Sequence, residues 1–211
     1  MSTTTGGATR KRVRLQPEVR KDQILDAALA EFGAHGFAAT TVDRIAARAQ
    51  LSKAGVYAHF ASKDEIFETL LMRMLTPSFP ARNWCPGPDR TVEEIVDAYI
   101  DDTYAKFRDP QVAAVLRLLI AESGRLPHLV RRWRTEVVQS YLDEQQRMIR
   151  RLVAEGRIRS SPLTDYFDIV TSPMVQGWVM YFIFGDDFAR RDLKKLKEAH
   201  RRLLADMLKI S

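Results

Sequence analysis

The chain has 211 residues, a formal net charge of +6 and one cysteine. That length makes one or two domains with a real hydrophobic core. One cysteine, Cys85, excludes an internal disulfide framework and a cysteine-only metal cluster.

The charge is unevenly placed. Residues 1–16 carry Arg10, Lys11, Arg12 and Arg14 and no acid, which is four of the six surplus charges. Residues 17–64 sum to zero. The first segment reads as a flexible basic arm, either a nucleic-acid phosphate contact or a solvated tail. No apolar block follows its uncharged start, so no secretory signal is expected and the expected setting is cytoplasmic.

The pattern after the arm is helical almost throughout, with about nine helices and no strand-like alternation. Pro17 opens the first helix, whose apolar face is Ile24, Leu25, Ala28, Leu29 and Phe32, and Gly33 and Gly36 close it. Thr41 caps a short second helix from Val42 to about Ala49. A turn at Gln50-Leu51 leads to Ser52, which caps a third helix to about Phe60. Ser62 and Glu65 form a capping box for a fourth helix, with Ile66, Phe67, Leu70, Leu71 and Met74 inward.

Residues 77–90 hold Pro77, Pro80, Pro86, Pro88 and Gly87 and cannot be one helix. They connect a small N-terminal unit to a larger C-terminal one. Phe79 and Trp84 argue against a loose tether. The expected domains are the arm 1–16, a unit 17–76 and a unit 77–211. Helical patterns resume at about 92–107, 111–122, 127–155, 163–184 and 193–210, with Pro173 expected to kink or break the fourth of these. The longest apolar stretch, Met174 to Phe184, is interrupted by Gln176 and Gly177 and is too short to span a bilayer.

The segment 41–60 reads TVDRIAARAQLSKAGVYAHF. Two short helices are joined by a tight turn, and the second is too short and polar for a core helix. That is a helix-turn-helix, whose second helix enters the DNA major groove. Ser52, Lys53, Ala54 and Gly55 lie at the helix N-terminus, where free N–H groups favour phosphate and small side chains allow close approach. Lys53 has the reach for guanine or phosphate, and Tyr57 and His59 for the sugar-phosphate backbone. Thr41 and Lys63 start neighbouring helices and are placed to clamp flanking phosphates. The competing reading makes Lys53 a solvated lysine, Tyr57 a packing staple and His59 an exposed helix end.

Residues 20–75 resemble the N-terminal domain of the TetR family of bacterial transcriptional regulators. The matching residues are Ile24-Leu25-Asp26-Ala27-Ala28, Phe32, Gly36, Thr40-Thr41, Ile45-Ala46, Ala49, Leu51-Ser52-Lys53, Val56-Tyr57, His59-Phe60 and Ser62-Lys63-Asp64. The resemblance implies an all-α homodimer that binds a palindromic operator, usually as a repressor, and is released by a small ligand in its C-terminal domain. The chain departs from the family where Gln50 replaces a frequent turn glycine. In the C-terminal part the likeness lies in helix number, with Ala121-Glu122-Ser123 and Pro127 resembling one subgroup.

Ligand candidates are Tyr104, Phe107, Trp133, Tyr141, Gln145, Met148, Met174 and Trp178; core filling is the alternative for the aromatics and methionines, and a partly solvated helix face for Gln145. Trp133, Tyr141, Gln145 and Met148 fall roughly on one face of a long helix, with Gln145 a candidate hydrogen-bond partner. Arg131, Arg132 and Arg134 form a basic cluster, either for an anionic ligand or as a solvated face. The last two helices resemble the family's dimerisation pair and offer Val170, Val175, Val179, Phe182, Leu203, Leu204 and Met207. The four histidines, His35, His59, His128 and His200, show no metal spacing, and no nucleotide-loop or hydrolase motif is present. No enzyme activity, cofactor or metal is expected. The expected partners are double-stranded operator DNA, a second copy of the chain and a small, largely apolar effector, with no membrane.

Overall fold

The computed structural model describes residues 16–85 and 90–209, and the arm residues Arg10, Lys11, Arg12 and Arg14 lie outside them. The fold is all-α. It divides into two compact units, Met1–Ile66 and Phe67–Ser211. The division falls inside a helix, ahead of the proline-rich stretch.

In the first unit, α1 (Pro17–Ala39) buries the expected face of Ile24, Leu25, Ala28, Leu29 and Phe32. Gly33 is an ordinary helical residue, and the backbone leaves helical geometry at Gly36, with φ 74°. Buried Thr40 secures this end by donating its hydroxyl to the carbonyls of Glu31 (3.1 Å) and Gly36 (2.8 Å). The short helices α2 (Val42–Arg48) and α3 (Lys53–Tyr57) follow. Then α4 (Lys63–Leu75) starts where the Ser62 hydroxyl accepts the Glu65 N–H at 3.1 Å.

The second unit begins within α4. The connector is anchored, as its aromatics predicted: Phe79 and Trp84 are buried with Tyr99 and Phe167 in a set of edge and tilted ring contacts. Helix α5 (Val92–Ala105) carries a full capping box from Thr91 and Glu94. A tight turn (Lys106–Arg108) leads through the Asp109 cap to α6 (Pro110–Glu122). Helix α7 runs over 127–154, and its middle, Arg134–Gln139, is π-helical.

The expected helix over 163–184 is two. A one-turn α8 (Pro162–Asp165) precedes α9 (Asp168–Phe184). Reciprocal Ser161–Thr164 hydrogen bonds tighten the short turn. Gln146 donates to the Thr164 carbonyl and accepts from the Phe167 N–H, both at 2.7 Å, which holds the break open. Pro173 lies within α9. Gly185, at φ 57°, ends α9 and starts α10 (Asp186–Arg191), before α11 (Leu193–Leu208). The break and α10 raise the number from about nine to 11 among the described residues. None of these helices is long and apolar enough to cross a membrane.

Candidate functional site

The helix-turn-helix is built by local sequence. Ile45 and Ala46 of α2 are buried, and the small side chain of Ala46 lets α3 pack close. The turn needs a left-handed residue, and Gln50 supplies it at φ 56°. A side chain there is strained, so the frequent glycine of the resembling proteins has a physical reason. The Leu51 N–H then reaches the Ala46 carbonyl at 2.8 Å. The Ser52 hydroxyl accepts the Gly55 N–H at 3.1 Å, capping α3 as expected. Within α3 only Val56 is buried, and Phe60 anchors the exit. Ser52, Lys53, Ala54 and Tyr57 are therefore exposed, with Gly55 and His59 half-buried.

Electrostatics refine this surface. Lys53 Nζ lies 2.8 Å from Asp43 Oδ2, and that bond raises the ammonium pKa. Buried Glu31 accepts from Arg48 Nε at 2.7 Å and Arg44 Nε at 2.9 Å. Those bonds, with Arg48 leading, hold its carboxyl below the usual range. Sequence reasoning missed this tie, although Arg44 and Arg48 stand four apart on one helix face. The exposed Thr41 caps α2 by accepting the Arg44 N–H at 3.3 Å.

Lys63 departs from its expected place at a phosphate. Its ammonium donates to the carbonyls of Phe37 (2.7 Å), Thr40 (2.7 Å) and Ala38 (3.4 Å) and sits over the Phe37 ring. An ammonium has three donors, and all are engaged at the end of α1.

The second unit contains a cavity of about 420 Å³, within the range of small-molecule sites. Met74, Leu75, Phe79, Tyr99, Val112 and Leu116 form part of its apolar wall. Four of the eight expected ligand residues line it: Trp133, Tyr141, Met174 and Trp178. Burial pushes the Tyr141 and Tyr99 phenols up, so both stay protonated.

The other four are placed elsewhere. Gln145 is fully buried, accepting from Trp84 Nε1 at 2.6 Å and donating to the Phe79 carbonyl at 3.1 Å. Met148 meets Cys85, sulfur to sulfur, at 3.7 Å. Gln145 and Met148 keep the helix face of Tyr141 but lie one and two turns further along, where the connector residues Phe79, Trp84 and Cys85 cover that face. Tyr104 and Phe107 stack on one another and line a wider polar groove with Asp101, Lys197 and Arg201. That groove is the larger one, and within it Asp101 pairs with both Lys197 and Arg201.

Sequence reasoning missed the polar lining of the cavity: Ser78, Asp102, Thr103 and Lys106. Burial lowers the Lys106 ammonium pKa, opposed by Asp102. The visible signal was Asp102 and Lys106 at helical spacing beside Tyr99 and Thr103. Of the arginine cluster, Arg132 pairs with Glu68 (3.0 Å) and Glu136 (2.9 Å), while Arg134 lines the cavity.

The expected dimer residues also divide. Val175, Val179 and Leu203 are exposed, and Ile183 and Phe184 extend the apolar surface of α9. Phe182 and Met207 are half-buried. Val170 and Leu204 lie in the chain's own core and cannot meet a second copy.

Comparison with known proteins follows this geometry. Residues 24–70 match the family described as bacterial regulatory proteins, tetR family. Residues 88–196 match the tetracyclin repressor-like C-terminal domain. The HTH-type transcriptional repressor SCO4008 of Streptomyces coelicolor is 42% identical over 59 residues, 28% of this chain and 31% of that protein. The chain thus matches about a third of that relative's length. The HTH-type transcriptional regulator YdeS of Bacillus subtilis is 27% identical over 180 residues, 84% of this chain and 85% of that one. Among solved structures, a SmeT–triclosan complex has a TM-score of 0.69 at 19% identity, covering 92% of this chain and 93% of that one, a likeness of fold alone. With matches across both units and a solvent-facing second helix in its motif, the chain belongs to the TetR family and is a DNA-binding transcriptional regulator.

Proposed function

We propose that this regulator is a repressor that binds a palindromic operator as a homodimer and is released by a small, largely apolar effector. The observation that carries the reading is α3: five residues, capped by Ser52, held by Val56, with every other side chain turned toward solvent or half-buried. Ser52, Lys53, Ala54 and Gly55 are assigned to the major groove. Thr41, Tyr57 and His59 are assigned to the sugar-phosphate backbone, and Arg10, Lys11, Arg12 and Arg14 to phosphates beside the site. Residues 17–76 form the DNA-binding domain, and 77–211 the effector and dimerisation domain. No catalytic role is assigned to any residue, and the protein works in the cytoplasm, where its DNA is.

Repression is supported by the name of the Streptomyces coelicolor relative, which matches part of this chain. An effector is supported by the cavity and by the triclosan complex of a similarly folded protein. Met74 and Leu75 line that cavity and end the helix whose first turn follows the recognition helix. An effector that displaces them shifts α4, and the DNA-competent arrangement becomes less populated. The exposed apolar side chains of α9 and Leu203 support a two-fold contact, which sets two recognition helices on successive major grooves.

The test is a footprint on upstream intergenic DNA with a reporter assay. A two-fold protected site, with reporter output falling as protein rises, is the expected result. Rising output would make the protein an activator, and protection without sequence preference would make it a DNA-coating protein.

A further inference from the structure

The polar groups lining the cavity do not balance. Both Asp102 oxygens face the Ser78 hydroxyl, at 3.1 and 2.9 Å. Arg134 donates to Gln139 at 2.9 Å and stands 4.0 Å from Asp168. Lys106 has no such partner: its nearest acceptor is the Thr76 carbonyl at 3.4 Å, and no described carboxylate lies within 4.0 Å. The Trp133 indole Nε1 is buried and meets no acceptor among the described residues. Lys106 thus lacks an anionic partner and the Trp133 indole lacks any acceptor; both are donors, and one is a cation.

From this we infer that the effector is an apolar acid whose carboxylate is taken by Lys106, with the Trp133 N–H serving an acceptor of the same molecule. The inference rests on the proposed effector-released repression. Met74, Phe79, Leu116, Met174 and Trp178 surround an apolar body. A cationic ligand would meet repulsion from Lys106 and Arg134 on the same wall. A neutral apolar ligand would take the ammonium further from water without compensation, which is costly. A carboxylate satisfies the ammonium in a charge-assisted bond and restores the proton affinity that burial removes.

The experiment is isothermal titration of the whole 211-residue chain with octanoate, decanoate and 2-naphthoate. Each is paired with the alcohol and the amine of the same skeleton. At least one acid should bind tenfold or more tighter than its alcohol, with the amine weakest. Lys106→Met should bring the acid to the level of the alcohol and leave the alcohol unchanged, while Trp133→Phe should weaken the acid less. Equal or tighter binding by the alcohol or amine overturns the proposal, as does the absence of binding by all three acids. If Lys106→Met does not fold, the wild-type comparison decides alone. A parallel footprint separates the two readings: acid binding with the expected preference but an undisturbed footprint upholds the ligand class and refutes effector release.

Discussion

Lys53 Nζ and Asp43 Oδ2 are 2.8 Å apart, so the first residue of the recognition helix is held by a carboxylate on the helix before it. If Lys53 meets the operator, DNA phosphate competes with that carboxylate. Lys53→Met should weaken operator binding by about tenfold and, if the lysine meets phosphate, lower the logarithmic salt slope by about one per subunit. Asp43→Asn frees the ammonium and removes a negative charge beside the DNA, so affinity should rise at low salt. Fluorescence anisotropy across a salt series reads both; unchanged affinity for both variants would remove α3 from the interface.

The arm makes a separate prediction. Deleting residues 1–15 removes Arg10, Lys11, Arg12 and Arg14. If all four meet phosphate, the salt slope per subunit should fall by about 3–4. An unchanged slope would make the arm a bystander.

Gln50 occupies the left-handed region in the turn between α2 and α3. Gln50→Gly should stabilise the first unit by about 0.5–1 kcal/mol, because relief of the strained φ exceeds the added chain entropy. Gln50→Val should destabilise it. Urea unfolding followed by circular dichroism measures both.

His200 predicts a pH dependence of stability. It is buried, with Nε2 2.9 Å from the Val170 carbonyl and Nδ1 3.2 Å from the Tyr104 hydroxyl. Nε2 thus donates, Nδ1 accepts, and the ring is neutral. Burial lowers its pKa to about 4, below the value of 6.5 it has when exposed. Between those values the unfolded chain binds more protons than the native one. Stability is therefore full above about pH 6.5 and falls toward pH 4, by at most about 1.4 kcal/mol per pH unit. The Glu31 carboxyl, held low by Arg48 and Arg44, contributes stability that is lost only at more acid pH. Melts between pH 7 and pH 5 should thus show a slope that His200→Gln flattens.

The exposed face of α9 predicts the oligomeric state. Val179→Asp, at a residue 49% exposed, should leave the monomer fold intact and abolish the dimer. Sedimentation at micromolar concentration should show a dimer for the natural chain and a monomer for the variant. A variant that remains dimeric would place the interface elsewhere.

Local features were legible in the sequence. The face of α1, the Thr41 and Ser52 caps and the Gln50 turn depend on residues within one or two turns of each other, and the structure has them where the pattern put them. What depended on distant packing was harder to read. Lys106 reads as a surface lysine until the walls of the cavity surround it. Gln145 and Met148 continue the helix face of Tyr141, but periodicity gives a face and not the distant segment that covers it, which here is the connector at Phe79, Trp84 and Cys85. Val170 and Val175 are the same residue type on the same helix, one in the core and one exposed, and composition alone does not separate them.

The three tryptophans have an optical consequence. Trp84 belongs to the aromatic cluster of the second unit, and Trp133 and Trp178 line its cavity. The helix-turn-helix contains none, only Tyr57. Indole emission is therefore a reporter confined to the second unit, with two of its three sources at the cavity wall. A molecule entering the cavity should alter their quenching and emission maximum, while changes confined to the recognition helix stay dark. One cuvette, with labelled DNA as a second colour, could then time the arrival of the effector and the departure of the operator independently.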